Sequence, residues 1–197
     1  QLYQKGLIYK GKRMINWCPR CGTGLSDLET EHSEEQAKLW YVRYLLEEKG
    51  GRGTGNGGSP RYITVATTRP ETILGDTAVA VSPDDRRYKA LLGRYAILPI
   101  LGRRIPIIAD AAVDPAFGTG AVKVTPAHDP TDYDIGQRHH LETITAIGLD
   151  GAMTEAAGPY AGLDRYACRQ RLLADLEAQG HLTKTEPLTH AVGHCQR

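Results

Sequence analysis

The residues able to do chemistry crowd into two stretches. In one, Lys123 and Thr125 are followed closely by His128, Asp129 and Asp132, which gathers an ammonium, a hydroxyl and two carboxylates. In the other, Thr67-Thr68-Arg69-Pro70-Glu71-Thr72 runs on to Gly75-Asp76-Thr77. Its hydroxyls and single guanidinium are types suited to hydrogen-bonding a small polar ligand.

The elements that must position them follow from local signals. Gly118-Thr119-Gly120 marks a tight turn, and Ala121-Val122-Lys123-Val124-Thr125 alternates as a half-buried strand does. Pro126 ends that strand. Asp129 as N-cap with Pro130 at the first helical position predicts a helix to about Leu141. The strand then delivers Lys123 and Thr125 to one rim, and the helix start sets Asp129 and Asp132 beside them. A bare capped helix accounts for the same residues: Asp129 caps, Asp132 favours the dipole, and Lys123 is solvated. Thr68-x-x-Glu71 has the form of a capping box and predicts a short helix. That box does not explain why Thr67, Arg69, Thr72 and Thr77 crowd the same place. His128 fits a packed histidine at least as well as a catalytic one.

The whole chain narrows the classes. Its 197 residues carry 24 Lys+Arg against 23 Asp+Glu, which gives no general field for a polyanion, so any nucleic-acid contact is local. No apolar run approaches the ~20 residues of a membrane span. The start lacks a methionine and a signal-peptide pattern, and Gly193-His194-Cys195-Gln196-Arg197 stops in mid-motif. The expectation is an internal piece of a longer cytoplasmic protein. Cys18-Pro19-Arg20-Cys21 is a knuckle of metal-binding type, and Cys195 can supply a third sulfur. A second Cys-x-x-Cys beginning at Cys195 would place its partner just past the end. A reduced or redox pair at Cys18 and Cys21 is the alternative reading. Cys168, inside an amphipathic stretch, reads as a packing residue.

Elsewhere, Leu2 to Leu7 looks like the tail of a helix, and Met14–Trp17 like a short strand into the knuckle. Strands are expected at 38–46, 61–67, 78–81, 95–98, 104–108, 121–125, 142–147 and 189–192. The glycine-rich run 50–59 reads as a long hairpin loop; it lacks the Gly-Lys-Ser/Thr ending of a phosphate loop. Gly162 to Gln179 is the clearest amphipathic helix and reads as packing alone. Short strands punctuated by Gly and Pro predict a mixed α+β but mainly β fold, a distorted barrel with a few peripheral helices.

Together, Thr67-Thr68-Arg69-Pro70-Glu71-Thr72 and Gly118-Thr-Gly-Ala-Val-Lys-Val-Thr-Pro-Ala-His-Asp-x-x-Asp-Tyr133 resemble the editing insertion (CP1) of class I aminoacyl-tRNA synthetases, and within that class the valyl pattern. The resemblance covers almost the whole chain, including Asn16-Trp17-Cys18-Pro19 and Gly193-His194-Cys195. It implies an editing domain over 33–186. It also implies an edge of the parent catalytic domain with the zinc knuckle over 1–32, and a return strand with a truncated knuckle over 187–197. The implied activity is hydrolysis of the ester of mischarged threonyl-tRNA. The implied partners are the aminoacylated 3′ adenosine end of tRNA and the threonine moiety. A leucyl- or isoleucyl-type editing domain, a non-catalytic tRNA-binding module and a zinc-dependent hydrolase are the rival readings.

By the same resemblance Asp132 binds the substrate ammonium, and Lys123 and Thr72 join it as catalytic residues. Thr125 and Asp129, with Lys123, face the threonine side chain and the ester. Arg69 and Thr72 hold the adenosine and the carbonyl end, with Thr67, Thr68 and His128 also touching substrate. No Ser/His/Asp or Cys/His arrangement stands near these residues, so the expected chemistry is attack by a positioned water. Editing needs no cofactor. ATP belongs to the parent's catalytic domain, and a structural zinc at Cys18, Cys21 and Cys195 belongs to the intact parent. A monomer without membrane association is expected.

Overall fold

The computed structural model describes residues 1–11, 13–47 and 62–197. A small hairpin pairs β1 (Asn16–Cys18) with β2 (Thr23–Leu25). The chain then enters β3 (Thr30–Leu46), which runs antiparallel to β9 (Leu182–Cys195) from Thr30↔Cys195 to Val42↔Leu182. The outer part of β3 is exposed and polar. From Val42 the strand alternates, burying Val42, Tyr44 and Leu46 and exposing Arg43 and Leu45, as one face joins the core.

Around that inner half the sheet is built outward in the order β4-β3-β6-β7-β5-β8. The strands are β4 (Tyr62–Thr67), β5 (Ala78–Val81), β6 (Tyr95–Ile97), β7 (Arg104–Ala109) and β8 (Ala121–Val124). β5 and β7 are parallel, and the other pairs are antiparallel. β5 is buried along its whole length, which explains its unbroken apolar sequence Ala78-Val79-Ala80-Val81. The two ends of the path meet through the turn before β8. The Thr119 hydroxyl donates to the Thr64 carbonyl at 2.6 Å. Gly118 holds φ +58°, and a Cβ there would stand 2.7 Å from that of Ala66. The result is a curled half-barrel, mainly β, in which turn contacts rather than a ladder join the ends.

Two α-helices flank it. α1 (Pro130–Arg138) starts on Asp129, whose side chain accepts from the Asp132 N–H at 3.0 Å. Its far end is held by Asp110, which accepts from Arg138 at 2.8 and 3.0 Å and meets His139 at 2.9 Å. The Arg138 guanidinium brings the Asp110 carboxyl down to about 2. α2 (Arg165–Ala178) buries Cys168, Leu172 and Leu176 against the main core.

Several expectations need correction. Residues 2–7 form turns, not helix. Residues 142–147 form no strand; only Ile147 makes a bridge, to Met153. β3 and β9 are far longer than expected, because their outer halves pair with each other in solvent and carry no apolar alternation to betray them. α1 ends at Arg138 rather than Leu141. The glycine-rich loop lies outside the described residues, although Leu45↔Tyr62 shows the antiparallel pairing on either side of it. Together β3 and β9 form one long two-stranded ribbon. No described helix is long and apolar enough to cross a membrane.

Candidate functional site

β8 supplies the central residues. Lys123 is on the inward side of the strand and only 7% exposed. Its ammonium donates to Thr125 Oγ1 at 2.6 Å and stands 3.4 Å from Asp76 Oδ1. The Thr125 hydroxyl in turn donates to Asp76 Oδ1 at 2.5 Å, and the Tyr44 hydroxyl donates to Asp76 Oδ2 at 2.6 Å. A buried charge is tolerated only when paired and hydrogen-bonded, and here both conditions are met. Burial pushes the Asp76 carboxyl up from its ordinary range, while Lys123, Thr125 and Tyr44 pull it back.

Asp132 stands at the start of α1, and its Oδ2 accepts the Thr125 N–H at 2.8 Å. The helix dipole alone would keep it ionised. Burial outweighs the dipole and raises the carboxyl to about 6, with Asp129 and Asp76 adding to the rise and Lys123 and the Thr125 N–H opposing it. Asp129 keeps its capping bond and is half-buried.

The threonine-rich stretch lies opposite. The capping box does not form: the short 3₁₀ helix Pro70–Gly75 has Arg69 at its N-cap, with no side-chain cap bond. Thr67 Oγ1 instead accepts from the Arg69 N–H at 3.1 Å, and the Thr72 hydroxyl donates to the Arg69 carbonyl at 2.9 Å. Glu71 is drawn away from Thr68 by Arg169 of α2, whose Nε and Nη2 donate to its two oxygens at 2.8 Å each. Arg69 reaches the other way and donates to the His128 carbonyl at 2.8 Å.

His128 Nε2 accepts from the Ala146 and Ile147 N–H groups at 2.9 and 3.1 Å. That ring nitrogen therefore carries no proton, and burial first, then Arg69 and Lys123, lowers the imidazole to about 4. His128 thus ties the strand-to-helix turn to the 146–147 segment. Of the two sequence readings, packing describes what its Nε2 does.

These residues enclose one cavity of about 420 Å³, a size typical of small-molecule sites. Thr67, Thr68, Arg69, Thr72, Lys123, Thr125, His128, Asp129 and Asp132 all line it. Val113, Phe117, Val122 and Ile135 form its apolar side. No Ser or Cys is among the described lining residues. The sequence reading assigned no role to Asp76 and Tyr44. A carboxylate two residues before the wholly apolar β5 was the available sign for Asp76, and the inward phase of Tyr44 with Val42 and Leu46 was the sign for its hydroxyl.

The three expected sulfurs also come together. The Sγ atoms of Cys18, Cys21 and Cys195 lie within 4.8 Å of one another, with Cys21 and Cys195 at 3.9 Å. The Cys21 N–H donates to Cys18 Sγ at 3.4 Å and is the main reason the Cys18 thiol falls to about 7. Tetrahedral zinc at about 2.3 Å from each sulfur sets neighbouring sulfurs about 3.8 Å apart, so this donor set fits the metal. His194 turns away to Glu35 at 2.9 Å.

The chain belongs to the class I tRNA synthetases (I, L, M and V), whose family model matches residues 1–176. It is 59% identical over 196 residues to the valine–tRNA ligase of Petrotoga mobilis and 56% identical over 197 residues to that of Thermotoga maritima. Both matches cover 100% of this chain, which spans about a fifth of those relatives (21% and 22%). Among solved structures, the crystal structure of GlLeuRS-CP1 matches with a TM-score of 0.57 at 15% identity, covering 75% of this chain and 98% of that one. A ternary complex of Agrobacterium radiobacter K84 agnB2 LeuRS with tRNA and LeuAMS matches with a TM-score of 0.56 at 22% identity, covering 80% of this chain and 20% of that one. The fold is therefore that of the CP1 domain.

Proposed function

We propose that this chain is the editing module of a valine–tRNA ligase and hydrolyses the ester joining threonine to the 3′ adenosine of valine tRNA. The observation that carries the reading is the convergence of all nine motif residues on one cavity. A hydrophobic synthetic pocket cannot strongly reject an isostere that merely adds a hydroxyl, and threonine against valine is the standard instance of that limit. A second cavity must read the hydroxyl, and this one is polar on the side where Lys123, Thr125 and Asp129 stand.

Asp132, ionised above about pH 6, takes the substrate ammonium. Lys123, steadied by Asp76 and Thr125, and the Thr72 hydroxyl face the ester, where a positive charge and a donor stabilise the developing oxyanion. Thr67 and Thr68 flank the same edge, and Arg69 holds the terminal nucleotide. With no Ser or Cys among the described lining residues, water is the nucleophile on the ester, which is already an activated acyl group. His128 holds the turn rather than acting as a base through Nε2. At the foot of the ribbon Cys18, Cys21 and Cys195 would hold a zinc ion, whose contribution would be structural.

The direct test is deacylation of threonyl-tRNA(Val) by this chain, with valyl- and isoleucyl-tRNA as comparisons. Rapid loss of threonine with valine spared is expected. Binding of tRNA without hydrolysis would overturn the reading in favour of a non-catalytic module.

A further inference from the structure

α2 looked like packing alone, yet one of its residues pairs with Glu71, between the site residues Arg69 and Thr72 in the chain. Arg169 follows the buried Cys168 and turns its guanidinium onto Glu71 as a two-pronged pair, 2.8 Å at each prong. Its guanidinium carbon lies 5.9 Å from the centre of the Trp40 ring and 5.6 Å from that of Tyr166, which fixes its plane. Glu71 is 1% exposed and cannot find solvent partners. The second cation near it is Arg69, whose Nε stands 3.7 Å from Glu71 Oε1, while its Nη1 donates to the His128 carbonyl at 2.8 Å.

Arg69 therefore stands between two attractions. Glu71 pulls it toward the buried side, and the His128 carbonyl holds it over the cavity. Arg169 donates to both carboxylate oxygens and neutralises the Glu71 charge, so the pull of Glu71 on Arg69 is weakened and Arg69 stays at 3.7 Å. Two guanidinium groups then share one carboxylate, and a net positive charge remains at the cavity's edge. Remove Arg169 and the balance reverses. A desolvated carboxylate left unpaired is costly, and the nearest cation able to relieve it is Arg69.

We infer that Arg169 is a positioning residue for the candidate site. By neutralising Glu71 it keeps the Arg69 guanidinium extended over the cavity and able to meet an anionic group, the phosphate of an RNA 3′ end. The inference rests on the deacylase reading for its substrate, but not for its geometry.

The experiment compares Arg169→Gln, Glu71→Gln and the double variant, beside Arg69→Gln, in the intact chain. Arg169→Gln should raise KM for threonyl-tRNA about tenfold, the size of one charge-assisted contact, with kcat within about twofold. It should also reduce the salt dependence of KM as Arg69→Gln does, since one phosphate contact is lost in either case. The double variant removes the carboxylate that captures Arg69 and should return KM to within about threefold of the parent. A purely structural ion pair predicts the opposite, with Glu71→Gln and the double variant as impaired as Arg169→Gln. That result, or an unchanged KM in a folded Arg169→Gln protein, overturns the inference. If Arg169→Gln does not fold, Arg169→Lys replaces it: an ammonium cannot occupy both Glu71 oxygens as the guanidinium fork does, so KM should still rise, and an unchanged KM overturns the inference.

A crystal structure of Arg169→Gln, or of Arg169→Met, tests the geometry without any substrate. Arg69 should leave the His128 carbonyl and pair with Glu71; an Arg69 still on His128 refutes the capture. If the unaltered chain hydrolyses nothing, the deacylase reading fails, and this structural outcome still judges Arg169 separately.

Discussion

Asp132 exposes a conflict between stability and function that one substitution can separate. Burial lifts its carboxyl from 3.8 to about 6, which corresponds to about 3 kcal/mol against the ionised form in the folded protein. Because the folded-state value is raised, the cost is absent below the unfolded value near 4. It grows as pH rises through the folded value and is complete above it. Asp132→Asn keeps an oxygen to accept the Thr125 N–H and removes the charge. It should therefore raise the unfolding free energy at pH 8 by up to about 3 kcal/mol and change it little at pH 4. The same change removes the proposed ammonium partner. A charge-assisted bond of about 1.5–3 kcal/mol corresponds to a loss of roughly ten- to hundredfold in deacylation. In the parent, deacylation should fall on the acid side with an apparent midpoint near 6. Urea unfolding at the two pH values and deacylation of threonyl-tRNA on the same preparation give both readouts. Equal stability shifts at pH 4 and pH 8 would refute the desolvation reasoning, and near-normal turnover by the folded variant would refute the ammonium role.

The other expectations follow from single contacts. Asp129→Ala should cost about 1 kcal/mol in thermal or urea unfolding, because its side chain caps α1, and Asp129→Asn should not. If the Asn variant also loses the preference for threonyl- over valyl-tRNA, the charge rather than the cap sets specificity. His128→Phe leaves the Ala146 and Ile147 N–H groups without their acceptor and should destabilise by about 2 kcal/mol or more in melting. In the parent, His128 contributes stability that is full above 6.5 and declines as pH falls toward its folded value of about 4; an acid-unfolding curve unaffected by His128→Phe would contradict this. Cys18→Ser in the full-length protein should release one zinc by metal analysis, and an unchanged zinc content would dismiss the thiol site.

What the sequence made legible had a local physical sign. Asp129-Pro130 announced α1, and the period-two run from Ala121 announced β8, so the rim carrying Lys123, Thr125 and Asp132 was legible in the sequence. The mainly β class followed from strand spacing. Long-range electrostatics left no such sign. Thr68-x-x-Glu71 satisfied the spacing of a capping box, yet Arg169, far along the chain, took Glu71 with two hydrogen bonds and left Arg69 at the N-cap. Asp76 seemed incidental until Tyr44 and Lys123 met it from different strands. The outer ribbon of β3 and β9 was missed because strands without a buried face need no apolar alternation.

That ribbon makes the module a lever. From Thr30 and Cys195 to the edge of the core its paired strands run roughly a dozen residues, or about 40 Å. The first and last strands of the module thus stand side by side at its foot, where Cys21 and Cys195 lie 3.9 Å apart. A tilt of about 5° at the foot would carry the far end through about 3.5 Å, more than the length of one hydrogen bond. Whatever stiffens the three sulfurs therefore also aims the cavity, and loosening them would displace a site whose own walls had not changed.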